Sequence, residues 1–180
     1  MRNKKKGFTL VEILVVVSVF SIMVGSILSV VVGWQRSWNI SKVQMDIQFE
    51  ARRAMSEITK ELSQTGRSTV NINATNDVII FQLPNNDYAG GTFTWGDQIQ
   101  YSLILGPTGN KQLWRTDSAT GQAEVLANYV IDIVPGIIPG VQFVLANDVI
   151  RIQLKVGKTP KGGGKQSEIL LNSQVSLRNI

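Results

Sequence analysis

Two kinds of hydrophobic pattern divide the chain. From Ile13 to Val32 there is neither a charge nor a proline. As a helix this run is ~30 Å long, the thickness of a bilayer's hydrocarbon core. Apolarity on every side is foreign to a soluble surface helix, which keeps a polar face. The stretch from Trp34 to Thr65 has no breaker but a different rhythm. Ile47, Ala51, Ala54, Met55, Ile58 and Leu62 recur at helical spacing, while Asp46, Glu50, Arg53, Glu57 and Lys60 take the other faces. Arg53 and Glu57 stand four apart, the spacing of an intrahelical ion pair. The pattern predicts one helix from about Phe8 to Gln64, with Gly66 as its C-terminal stop. Trp34 and Trp38, with Arg36 between them, read as an interfacial belt where the apolar run ends.

From Arg67 the period shortens to that of strands. Val78–Leu83, Gln98–Leu105, Lys111–Thr116, Val141–Ala146, Val149–Val156 and Ile169–Leu177 all read as strands, and Val70–Asn73 as a further edge strand. Asn85-Asn86-Asp87, Gly106 to Asn110 and Asn147-Asp148 are turn chemistry, the last joining two strands as a hairpin. Lys158 to Lys165, with three successive glycines, reads as a mobile surface loop. A long helix followed by antiparallel strands is an α+β architecture, with the helix packed on a β-sheet head.

Composition narrows the chemistry. The chain has no Cys, which excludes a disulfide scaffold, a zinc–thiolate cluster and a thiol nucleophile. It has no His, the commonest general base and metal ligand. The net charge of +5 is concentrated in Arg2, Lys4, Lys5 and Lys6. The remainder is close to neutral and carries no basic stripe, so no nucleic-acid partner is expected. Four cations ahead of the apolar run, with no acid among them, put the N-terminus in the cytoplasm and everything after Trp34 across the membrane. A secretory signal peptide has a shorter apolar region and a small-residue cleavage site. A plain signal anchor is the stronger rival.

Glu12 fits neither rival. It lies one helical turn from Phe8, at the edge of the apolar run. A carboxylate at a bilayer centre costs on the order of 2.5–3.5 kcal/mol. A cationic partner would offset that cost, yet no Lys or Arg occurs between Gly7 and Arg36. A new α-amino group, released by a cut just before Phe8, would supply the cation.

The string Lys6-Gly7-Phe8-Thr9-Leu10-Val11-Glu12, followed by the apolar run, resembles the type IV prepilin signature of pilins and type II secretion pseudopilins. The resemblance implies that a prepilin peptidase cuts between Gly7 and Phe8 and methylates the amine of Phe8. It also implies that Glu12 pairs with the N-terminal amine of a neighbouring subunit in a filament. Each charge alone in lipid is expensive, so such a pair rewards one docking register. A looser resemblance covers most of the chain. The helix end from Ala51 to Gly66 and the pattern from Asp97 to Val134 are similar to J-type minor pseudopilins of type II secretion and to W-type minor pilins. Many pilins carry a proline where this chain has Ser29, and its absence speaks against a major filament subunit.

The expected organisation is a basic leader (1–7), a transmembrane helix (8–34), an amphipathic helix entering the head (35–66) and a β-rich domain (67–180). The expected function is that of a minor pseudopilin that initiates or caps a short extracytoplasmic filament. Its partners would be the prepilin peptidase, other pseudopilins or pilins, and lipid of the cytoplasmic membrane, with no cofactor and no catalysis. The alternatives are a minor pilin of a type IV pilus or competence system, and a membrane-anchored β-rich enzyme or binding protein. Enzymatic readings find little support. Asp77, Asp87, Asp97, Asp117 and Asp148 each sit beside turn formers. The Asn85-Asn86-Asp87 cluster could hold calcium but lacks a spaced loop motif with a closing Glu. The glycine-rich stretch Gly157–Gln166 lacks the spacing of a phosphate loop.

Overall fold

The computed structural model describes residues 8–85, 94–107, 109–161 and 165–178. Helix α1 spans Leu10–Leu62. Eight strands follow a short 3-10 turn at Arg67–Thr69: β1 (Asn71–Ile72), β2 (Val78–Pro84), β3 (Trp95–Leu105), β4 (Lys111–Asp117), β5 (Ala123–Val130), β6 (Val141–Ala146), β7 (Val149–Lys158) and β8 (Ser167–Ser176). The architecture is α+β, a long apolar N-terminal helix followed by an antiparallel sheet, in a pilin-like layout. The chain divides into two compact units, the first ending at Ser41 and the second running Lys42–Ile180.

In the second unit the helical stripe does what its spacing predicts. Ile47, Ala51, Ala54, Met55, Ile58 and Leu62 are all buried. They share one core with Ile79, Phe81, Tyr101, Leu113, Phe143, Ile152 and Leu154 from the strands. Phe81 and Tyr101 stack in this core, ring centroids 5.9 Å apart. Polar groups tie the same helix to the sheet. Arg115 on β4 binds Glu61 through Nε (3.0 Å) and through Nη2 (2.8 Å), and the Tyr101 hydroxyl donates to Glu61 at 2.5 Å. Burial pushes the Tyr101 hydroxyl far above its usual range, and the Glu61 carboxylate pushes it further. Arg53 pairs with Glu124 on β5 at 2.6 Å, so its partner lies on the sheet rather than at Glu57 on its own helix.

The strands form two antiparallel meanders, β1 to β5 and β6 to β8. Val130 pairs with Val156 across the join, where the Ile131 N–H also donates to the Lys155 carbonyl at 3.1 Å, and the Phe143 N–H on β6 donates to the Asn76 carbonyl in the β1–β2 turn at 2.8 Å. All six strands and the edge strand predicted by alternation are present. β5 is additional. Its pattern escaped alternation because Leu126 and Ala127 are buried in succession and the register against β4 slips there. A bulge of this kind breaks the period of two. β3 begins at Trp95, so Asp97 lies inside a strand and not in a turn.

The turn at Gly106 to Asn110 is closed by the Gly106 N–H donating to the Asn110 carbonyl at 2.8 Å, with Gly109 at φ +77°. Asn147 takes φ +57° in the β6–β7 hairpin. Lys158, read as part of a loop, closes β7, and residues 162–164 of that loop lie outside the described residues.

Gly66 is not a left-handed helix cap. Its φ is −86°, and it begins the 3-10 turn. Glycine is required there for another reason: a Cβ would sit 2.4 Å from the Trp95 ring. The same segment receives the chain end. Arg178 N–H donates to the Thr65 carbonyl at 3.2 Å, and Arg67 N–H to the Arg178 carbonyl at 3.3 Å. The Arg67 guanidinium reaches Asp148 at 2.7 Å.

Candidate functional site: the N-terminal helix

Every residue from Phe8 to Lys42 is exposed in the isolated chain. The described residues hold one helix long and apolar enough to cross a membrane. Four serines interrupt its apolar run, and each resolves its own polarity. Ser18, Ser21, Ser26 and Ser29 donate their hydroxyls to the carbonyls of Leu14, Val17, Ile22 and Gly25, at 2.7 to 2.9 Å. A hydroxyl satisfied within its own helix brings no unpaired donor into hydrocarbon. Trp34 and Trp38 stand at the end of the run with ring centroids 6.1 Å apart.

Gly7 lies outside the described residues. Phe8 is 83% exposed. Glu12 occupies the first turn of α1 and has hydrogen-bond partners within its own chain. The Thr9 N–H donates to Glu12 Oε2 at 3.1 Å, and the Glu12 N–H donates to Thr9 Oγ1 at 3.3 Å. The Thr9 hydroxyl donates to the same carboxylate oxygen at 3.2 Å. This reciprocal pair is a capping box, written in the sequence as Thr9-x-x-Glu12. It satisfies helix-terminal N–H groups, and it places a carboxylate at the positive end of the helix dipole. Glu12 is therefore accommodated in a single chain without an ammonium partner, and both of its oxygens remain at an open helix end.

Among the described residues, the acids considered for catalysis do not assemble into one site. Asp77 closes the β1–β2 turn, accepting from Asn73 (2.6 Å) and Thr75 (2.5 Å). Burial pushes its carboxyl up, but these hydrogen bonds outweigh burial and hold it below the usual range. Asp117 caps the turn after β4, accepting from the Ala119 N–H at 2.9 Å. Asp148 sits in the β6–β7 hairpin, paired with Arg67. Asp87 and Asn86 lie outside the described residues. Among those described, no group of three acids, His or Cys could hold a metal ion.

A capped, outwardly apolar helix behind a basic Gly-Phe junction is the context that gives a sequence match its meaning. Residues 2–32 match the family described as the prokaryotic N-terminal methylation motif. The methylation motif spans the basic leader, the Gly7–Phe8 junction, Glu12 and the apolar run together. It is of the type IV prepilin kind, and it implies processing by a prepilin peptidase and assembly with other pilins. With the apolar helix beneath it, the motif points to membrane anchoring. No curated protein and no solved structure matches the chain.

Proposed function

We propose that this chain is a minor pseudopilin of type II secretion. It is cut between Gly7 and Phe8, methylated at the Phe8 amine, and anchored in the cytoplasmic membrane with its head on the far side. It is a structural subunit that initiates or caps a short filament, and energy for assembly comes from another protein. The observation that carries this reading is the methylation motif at residues 2–32. The choice of a J-type subunit rests on the looser sequence resemblance at Ala51–Gly66 and Asp97–Val134.

The test is the intact mass of the protein purified from membranes of its own host. Loss of residues 1–7 and the gain of one methyl group are expected. A chain that retains its basic leader overturns the proposal and favours a plain anchor carrying a binding or enzymatic head. Co-purification separates the two filament readings: other pseudopilins are expected, whereas pilus or competence subunits would transfer the protein to the minor pilins.

A further inference from the structure

The two meanders meet along β5 and β7 at Val130–Val156 and the adjoining Ile131 N–H to Lys155 carbonyl bond, and a cleft of about 700 Å³ opens beside this short join. Tyr129 has φ +56°, a left-handed backbone that an aromatic residue adopts at a steric cost. It directly precedes Val130, the residue of β5 that pairs with β7. This stretch of β5 is held from behind: the Asn128 N–H donates to Glu50 at 3.0 Å and the Asn128 side chain accepts from Gln112 at 2.8 Å. The floor is apolar. Ile131 lies so close over Gly157 that a Cβ there would meet its Cδ1 at 2.5 Å, and Val130 and Pro135 continue the surface.

The rim is cationic. Lys111 is paired with Asp132, and Lys155 with Glu168 at 3.0 Å. Lys158 instead lies over the Tyr129 ring, 4.5 Å from its centroid. Lys161 is exposed on the same rim. Neither Lys158 nor Lys161 has a carboxylate within ion-pair distance among the described residues. Two surplus cations therefore line a groove with an apolar floor, beside a short join between β5 and β7.

We propose that this cleft binds an extended acidic peptide segment of a protein partner, its carboxylates meeting Lys158 and Lys161 and its apolar side chains lying on Tyr129, Ile131 and Pro135. Strand-like peptides dock where a sheet leaves an edge open. The charge balance selects acidic sequences over basic ones. The inference concerns the head alone and does not depend on leader processing or on the filament.

The experiment uses the full chain in detergent and a fluorescein-labelled peptide of alternating Glu and Val, about six residues or ~20 Å when extended. Fluorescence anisotropy should show saturable binding that weakens with added salt. Lys158→Glu with Lys161→Glu should weaken it about tenfold or more, as expected for loss of paired interfacial charge. Arg151→Glu, on β7 away from the cleft, should leave it unchanged. Lys161→Glu alone, at an exposed residue, should weaken it in a protein whose melting temperature is that of the wild type. Equal binding by the double variant, or equal binding of a Lys–Val peptide, overturns the proposal. So does the absence of peptide binding by a head that instead binds phosphatidylglycerol vesicles through these two lysines.

Discussion

At Gly66 a single added methyl group would run into the Trp95 ring. The Trp95 ring lies where the Cβ of any other residue would be, at 2.4 and 2.7 Å from two ring carbons. Gly66→Ala should cost about 1–3 kcal/mol, the penalty of overpacking, and a thermal melt of the purified chain would read it. The backbone there is ordinary, so no conformational strain adds to the cost. Asp132 gives a pH-dependent prediction. The Lys111 ammonium holds its carboxyl below the usual range. A depressed carboxyl stabilises the fold above its unfolded value and loses that contribution as pH falls through its folded value. Asp132→Asn should therefore cost on the order of 0.5–1 kcal/mol at pH 7, the scale of a partly exposed pair. The gap from wild type should narrow below pH ~4. Urea melts of both proteins across that range would show it. Of these residues the sequence marked Gly66 but for the wrong reason, because a ring from Trp95 cannot be foreseen from local propensity. Glu12 was visible as an anomaly, and Thr9 three positions earlier was the readable signal of its cap.

Among the elements, α1 was the most legible, since six buried positions repeat at one helical period over its second half. Ile58→Ala should cost about 2–5 kcal/mol, because Ile58 is fully buried and leaves a cavity. β5 was the least legible, because its bulges place two neighbours inward and Tyr129 outside the strand region. The clamp between α1 and the sheet could not be read either. Glu61, Tyr101 and Arg115 come together only after the meander folds, and nothing in its own segment pairs any one of them with the other two. Glu61→Gln should cost roughly 1.5–3 kcal/mol, the worth of hydrogen bonds to a charged group, and should lower the Tyr101 titration toward its ordinary range. Chemical denaturation and an alkaline absorbance titration measure the two effects separately.

For the whole molecule, the capping box sharpens the test of Glu12. Glutamine can serve the helix end as glutamate does but carries no charge. If Glu12 pairs with a neighbour's amine, Glu12→Gln should fail to enter filaments as completely as Glu12→Ala, while both insert in the membrane. If only the cap matters, Glu12→Gln should assemble normally and Glu12→Ala should not. Pull-down with the partner subunits, beside membrane fractionation, distinguishes the outcomes. The methyl and leader measurements belong to this scale too, because they report on what the chain becomes rather than on how it folds.

The join of Arg178 to Thr65 and Arg67 pins the segment after β8 to the end of α1. Val175 and Leu177 belong to the core that the helix began, so residues at and just after the end of β8 shelter a stripe more than a hundred positions earlier. Detaching that segment would therefore leave the amphipathic half of α1 with an uncovered apolar edge.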